Sequence, residues 1–178
     1  MKAYCQEAVL YGNQKIPPMM TSRHVTVILN PAANKKKSKD DYEKYCAPLL
    51  NLAGLKVSMI QTEAEGQAKD LMEIMNNTDC VLIAGGDGTV HEAITGLLRR
   101  QDSNKFPIGI APIGKRNSIA YRLNHFDIKD KKAKSVQFFY FLDFSSNFYP
   151  LIYFYFFLES LESQQCLSYV KFFKMLML

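Results

Sequence analysis

Residues 79–92, Asp-Cys-Val-Leu-Ile-Ala-Gly-Gly-Asp-Gly-Thr-Val-His-Glu, decide how this chain folds. Val81-Leu82-Ile83-Ala84 is a short apolar run that reads as a buried strand. It stops at Gly85-Gly86-Asp87-Gly88-Thr89, and a helical pattern follows at once. Glycine has no Cβ, so it takes positive φ and lets backbone amides come close to a ligand. Thr89 and Glu92 have capping-box spacing, which predicts Thr89 as the N-cap with Glu92 folding back. A helix starting there aims unpaired N–H groups and a positive dipole end at the turn, where phosphate oxygens are attracted. Asp87 falls at the carboxyl edge of the strand, the edge at which open α/β sheets bind ligands. Its carboxylate is placed to accept a hydroxyl proton or to help hold a metal ion. A plain strand-to-helix turn accounts for a lone G-x-G; five specified residues after a buried strand point instead to phosphoryl transfer.

Working outward, strands and helices alternate. Val25–Leu29 is a β-branched first strand, ending at the turn signal Asn30-Pro31. Asp40 and Asp41 open a helix whose apolar face is Tyr42, Tyr45, Cys46 and Leu49, and Pro48 inside it predicts a kink or an early stop. Lys56–Gln61 alternates as a second strand, and Gly66 leads into a helix with Ala68, Leu71, Met72 and Met75 on one face. Asp79–Ala84 is the third strand. A helix from Val90 to about Arg100 then buries Val90, Ile94, Leu97 and Leu98. Pro107–Ala111 is the fourth strand, Pro112-Ile113-Gly114 a second glycine turn, and Asn117–Leu123 a short helix. This order predicts an α/β fold: a Rossmann-like, doubly wound, mostly parallel sheet with right-handed crossovers.

The 178 residues, 48% of them hydrophobic, suffice for one domain with a true core. The expected division is an irregular segment over 1–22, the catalytic-type lobe over 23–135, and an aromatic tail over 136–178. Net charge is +5, much of it in Lys35-Lys36-Lys37 and in the lysines of 129–134. Such runs meet phosphate, nucleic acid or anionic lipid, or are simply solvated. No basic stripe with interleaved aromatics marks a nucleic-acid binder. The cysteines at 5, 46, 80 and 166 match no zinc or redox spacing, and no disulfide is expected. His24, His91 and His125 form no ligand pattern; His91 reads as a helix-surface residue. No signal or transit segment is visible, and no apolar run approaches the ~20 residues of a spanning helix.

The alternation breaks near residue 136. Fifteen of the 22 aromatic residues fall in 136–178, in runs such as Phe138–Phe141 and Tyr153–Phe157 that show neither helix nor strand period. The segment could lie on a membrane or against a partner. The simpler expectation is sequence never selected to fold, as when translation enters non-coding sequence.

Four motifs in order give the chain a resemblance to the diacylglycerol kinase catalytic domain family, which includes sphingosine, ceramide and acylglycerol kinases. They are Leu29-Asn30-Pro31-Ala32-Ala33; Thr62-Glu63 with Gly66-Gln67-Ala68; Gly85–Thr89 with Glu92; and Pro112-Ile113-Gly114 with Asn117 and Ala120. The opening Cys5–Ala8, Gly12–Gln14 and Ile16–Pro18, with Glu65–Lys69 and Leu97–Arg100, looks most like the mitochondrial acylglycerol kinase branch. Two positions depart from the family pattern. Asn34-Lys35-Lys36-Lys37 stands where the first loop usually continues with glycine, and Lys115-Arg116 where a threonine usually follows the glycine of the fourth motif.

The resemblance implies the N-terminal lobe of a lipid kinase, its β-rich second domain and hydrophobic N-terminal anchor missing. It implies ATP and Mg²⁺ as cofactors. The substrate would be the hydroxyl of a monoacylglycerol, a diacylglycerol or ceramide, with lysophosphatidic or phosphatidic acid as product. The site would comprise Asp87 as general base or magnesium partner, with Asn30, Thr62, Gly85, Gly86, Gly88, Thr89, Glu92, Gly114 and Asn117 around the nucleotide. A membrane surface, the mitochondrial inner membrane and intermembrane space, and translocase subunits are implied as surroundings; nucleic acid is not. Two alternatives stay open: a catalytically incomplete nucleotide-binding lobe or translocase scaffold, and an NAD kinase-like phosphotransferase, which also uses a G-G-D-G turn.

Overall fold

The structure, a computed structural model, describes residues 2–15, 23–102, 105–123 and 140–142. Strands β1 (His24–Leu29), β2 (Lys56–Gln61), β3 (Cys80–Gly85) and β4 (Ile108–Pro112) form a parallel sheet in the order β2-β1-β3-β4. Every residue of β3, and Val25–Leu29 of β1, is buried, because helices cover both faces of these central strands. β2 lies at the edge and is half exposed.

Alternation along the strands splits the core in two. Val25, Val27, Leu29, Leu82 and Ala84 pack on one face against Tyr42, Cys46, Leu49 and Leu50. Ile28, Val81, Ile83, Ile108 and Ile110 pack on the other against α5 (Gln67–Ile74), α6 (Asp87–Arg99) and Ala120 of α7 (Ser118–Leu123). Helix α5 presses so closely on α6 that a Cβ on Gly96 would stand 2.2 Å from the Lys69 carbonyl oxygen. The buried face of α6 is therefore Val90, Ala93, Gly96 and Leu97, with Ile94 at its border. Leu98, expected inside, is exposed, since it lies a further 100° round the helix from Leu97.

Four further expectations are corrected. Residues 2–12, read as irregular, form α1 (Lys2–Gly12), which buries Ala8 and Tyr11 beside Leu49 and Leu50. Gly12 makes this docking close: a Cβ there would meet the Leu52 carbonyl oxygen at 2.2 Å. Pro48 does not stop its helix, and the irregularity beside it takes the form of a π-turn. α3 (Ser38–Asp41) passes through a π-turn over Tyr42–Cys46 into α4 (Ala47–Leu52), and the Ala47 N–H bonds five residues back to Tyr42 O. The wider turn places Pro48 in the first turn of α4. Helix α6 begins at Asp87, so Gly86 is its N-cap and the Thr89 capping box does not form. Finally, Tyr140–Leu142, in the segment read as a tail without period, forms β5, antiparallel to β4 with Gly109 opposite Phe141. The rest of that segment lies outside the described residues.

Candidate functional site

The strand order reverses between β1 and β3, and there the loops after four parallel strands surround an open cleft of about 750 Å³. The loop after β1 contributes Asn30, Ala32, Ala33 and Asn34; the one after β2, Thr62 to Glu65; the turn after β3, Gly86, Asp87, Gly88 and Thr89, with Glu92 one turn along; and the one after β4, Gly114, Lys115 and Arg116. Ligands of open α/β sheets bind at this position, because the helices on either side diverge there.

Each wall is held by bonds that cross the sheet edge. Asn30 is the central strut. Its N–H bonds to Ala84 O at 3.0 Å, its side-chain Nδ2 donates to Thr89 Oγ1 at 3.0 Å, and its Oδ1 accepts the Ala32 N–H at 3.0 Å. The hydroxyl of buried Ser38 donates to Asn30 O at 2.6 Å. Between them, in the single short turn α2 (Ala33–Lys36), Asn34, Lys35 and Lys36 all have positive φ, 51°, 56° and 68°. That is the backbone path glycine would take in this loop, followed here by side-chain-bearing residues, at a cost of about 1–2 kcal/mol for each of the two lysines. The run leaves Lys35, Lys36 and Lys37 exposed and outside the cleft lining.

At the start of α6, Asp87 N–H bonds to Arg116 O at 3.0 Å and Val90 N–H to Gly86 O at 3.1 Å. Among the described residues, the N–H groups of Gly88 and Thr89 find no backbone acceptor. A Cβ on Gly88 would meet nothing within 4 Å, so nothing in the fold itself demands glycine there. The Asp87 carboxylate spans the cleft floor: Oδ2 accepts the Ser118 N–H and Oδ1 the Ile119 N–H, both at 2.9 Å. Each oxygen keeps a second lone pair.

Of the sequence-predicted residues, Asn30, Thr62, Gly86, Asp87, Gly88, Thr89, Glu92 and Gly114 line the cleft. Gly85 and Asn117 stand behind it. A Cβ on Gly85 would lie 2.8 Å from Thr89 Oγ1, so this glycine makes room for that side chain. Asn117 clasps Gly114, its Oδ1 accepting the Gly114 N–H at 3.1 Å and its Nδ2 donating to Gly114 O at 2.9 Å. Burial raises the hydroxyl pKa of neighbouring Tyr121, which the Asn117 bond partly offsets. Lys115, Arg116, Glu63 and Glu65 are cleft residues that sequence reasoning did not select, though Lys115-Arg116 was visible as a departure from the family pattern.

The cleft suits a nucleoside triphosphate on three counts: free N–H groups at a helix start, an unfilled space above Gly88, and enough volume. For magnesium it offers less by itself. No group of three His, Cys, Asp or Glu gathers among the described residues. Such an ion is usually held through one or two carboxylates, waters and substrate phosphates, so Asp87 with a bound phosphate chain is a fitting donor set.

A doubly wound α/β lobe with glycine turns facing a cleft at its switch point defines a phosphate-binding class of domain. Within that class, the chain belongs to the diacylglycerol kinase catalytic domain family, whose model matches residues 24–137. It is 49% identical over 125 residues to mitochondrial acylglycerol kinase of Homo sapiens, covering 68% of this chain and 30% of that protein. Sphingosine kinase 2 of Homo sapiens is 30% identical over 122 residues, 65% of this chain and 19% of the relative. Among solved structures, a diacylglycerol kinase from Bacillus anthracis str. Sterne superimposes with a TM-score of 0.50 at 26% identity, covering 59% of this chain and 38% of that one. The chain thus spans about 30% of the length of the acylglycerol kinases it matches.

Proposed function

We propose that residues 23–135 are the nucleotide-holding lobe of an ATP-dependent lipid kinase that phosphorylates a hydroxyl of monoacylglycerol, diacylglycerol or ceramide. The supporting observation is the convergence of Asp87, the free N–H groups of Gly88 and Thr89, and the space above Gly88 on one cleft at the sheet's switch point. Family membership and the acylglycerol and sphingosine kinase relatives support a lipid acceptor.

Bound MgATP supplies the transferable phosphoryl group and the cation that offsets its charge. In this reading the Gly88 and Thr89 N–H groups hold phosphate oxygens, and Asn30, Thr62, Glu92 and Gly114 line the nucleotide side. Asp87 takes the proton of the lipid hydroxyl as its oxygen bonds to the terminal phosphorus and the bond to the leaving diphosphate breaks. It uses lone pairs that α7 leaves free, and it would also be the residue to hold a hydrated magnesium ion. General-base assistance of this kind contributes ~10²–10⁴-fold; positioning and charge stabilisation supply most of the rest. Residence in mitochondria is proposed from the names of the acylglycerol kinase relatives. Among the described residues no helix is long and apolar enough to cross a membrane.

The test is transfer of labelled phosphate from ATP to monoacylglycerol, diacylglycerol or ceramide in mixed micelles with Mg²⁺, using the purified chain. Labelled lipid phosphate is the expected product. A second reading rests on the cleft being walled, among the described residues, by this lobe alone: the chain binds nucleotide without turning it over. Saturable ATP binding with no labelled lipid would favour that reading, and transfer to NAD in place of lipid would favour an NAD kinase-like activity.

A further inference from the structure

Cations reach the cleft from an unexpected side. The lysine run of the first loop, Lys35–Lys37, is outside the lining, whereas Lys115 and Arg116, after β4, are in it. The same lining carries the carboxylates Glu63, Glu65, Asp87 and Glu92. Among the described residues neither Lys115 nor Arg116 forms a salt bridge with any of them, so both charges remain uncompensated. Their backbone, by contrast, is fixed. Arg116 O accepts the Asp87 N–H, Gly114 N–H bonds to Gly85 O at 3.1 Å, and Asn117 locks the turn from behind. Two exposed cationic side chains thus rise from a rigid turn directly beside the Gly86–Gly88 phosphate turn.

We propose that Lys115 and Arg116 form the cationic clamp of this cleft, binding the terminal phosphates of a polyphosphate ligand. The proposal takes its ligand class from the lipid-kinase reading but rests on the side chains at 115 and 116. Opposed carboxylates give the clamp a second consequence. Without these two cations the lining presents only negative side-chain charge, so a phosphate chain would be repelled. Affinity should therefore climb with phosphate number in the wild-type chain and lose that climb when the cations are removed.

The experiment compares the wild-type chain with Lys115→Ala/Arg116→Ala and with Lys115→Arg/Arg116→Lys, by calorimetric titration with MgATP, MgADP, adenosine, tripolyphosphate and phosphatidate vesicles. The main-chain bonds at Arg116 O and Gly114 do not depend on either side chain, so melting temperatures should agree; a variant that melts early is replaced by Lys115→Gln/Arg116→Gln. Removing both charges should weaken MgATP and tripolyphosphate binding about tenfold per cation, weaken MgADP less, and leave adenosine unchanged, while the charge-conserving variant stays within about threefold of wild type. Equal MgATP affinity in wild type and the alanine variant overturns the clamp and leaves the nucleotide reading standing. Loss of tripolyphosphate binding alone, with no adenine preference in the wild type, supports the clamp and counts against ATP as the ligand. A charge effect confined to vesicles overturns the clamp by making these residues a lipid-surface contact.

Discussion

Gly86 and Gly114 touch through their backbones: a Cβ built on Gly114 would stand 2.2 Å from the Gly86 Cα and 2.6 Å from its nitrogen. The β3–α6 and β4–α7 turns are therefore packed without an intervening side chain. Gly114→Ala forces these turns apart, and we expect about 1–3 kcal/mol of destabilisation, in the range of overpacked sites. Gly88→Ala is the informative contrast. Its Cβ meets open space and alanine suits a helix start, so urea denaturation should show stability unchanged or raised by up to about 1 kcal/mol. Equilibrium titration should nevertheless show MgATP affinity reduced more than tenfold, because the methyl occupies the ligand's approach.

Asp87 has both a structural and a proposed chemical duty, and Asp87→Asn separates them. The amide keeps one acceptor oxygen but turns an NH₂ toward the Ser118 or Ile119 N–H, so one bond becomes a donor–donor contact. That costs about 1–3 kcal/mol and should lower the melting temperature by several degrees. Turnover in the micelle assay, or in a full-length relative, should fall by about 10²-fold or more. Turnover within a few-fold of the parent would remove Asp87 from the role of base.

Arg100 joins α5 to the end of α6 and is nearly inaccessible, its side chain 1% exposed. Nη1 donates to Met72 O at 2.8 Å and Met75 O at 2.7 Å, Nε to Asp102 Oδ1 at 3.0 Å, and the guanidinium lies 5.0 Å from the centre of the Phe106 ring. Arg100→Met removes five donors and strands the two carbonyls at the C-terminus of α5. A loss of about 1–3 kcal/mol per stranded carbonyl is expected, since the ionic partner Asp102 is half exposed and is resolvated, measured as a lower urea midpoint with little sensitivity to salt.

Alkali should unfold the protein through the α3–α4 face. Burial, and then the Asp41 charge, hold the Cys46 thiol far above its ordinary 9.0. Burial, and then Cys46, push the Tyr42 hydroxyl from 10.0 to about 12. Both protons stay bound in the folded chain after the unfolded chain has released them. Their contribution is therefore intact below about pH 9 and declines as pH rises, first through the thiol and above 10 through the phenol as well. Each group adds a slope of about 1.4 kcal/mol per pH unit in its window. Urea midpoints measured from pH 8 to 12 should fall in this way, and Cys46→Ala should delay the onset to about pH 10.

Much of the fold was legible because its signals are local. The apolar run at 81–84 and the glycines at 85, 86 and 88 lie within a few residues of the elements they delimit, so strand, turn and helix follow from neighbouring side chains. The helix start was misplaced for a non-local reason: Asp87 N–H is bonded to Arg116 O, and Thr89 Oγ1 is taken by Asn30, 59 residues away. α1 was missed because its stability comes from docking on α4 through Ala8, Tyr11 and Gly12, not from an amphipathic pattern of its own.

By itself the sequence determined the alternation of strands and helices, the parallel sheet, the two glycine turns and half of the residues that line the cleft, since short-range periodicity and backbone freedom encode these. Tertiary structure alone decided that Asp87 is tied to Ser118 and Ile119, that Gly85 and Asn117 stand behind the wall, and that Lys115 and Arg116, not the Lys35–Lys37 run, bring positive charge to the site. Those outcomes depend on which loops meet at the sheet's carboxyl edge. That meeting is set by strand order and by the backbone contact of Gly86 with Gly114, between positions too far apart in the chain for any local pattern to record.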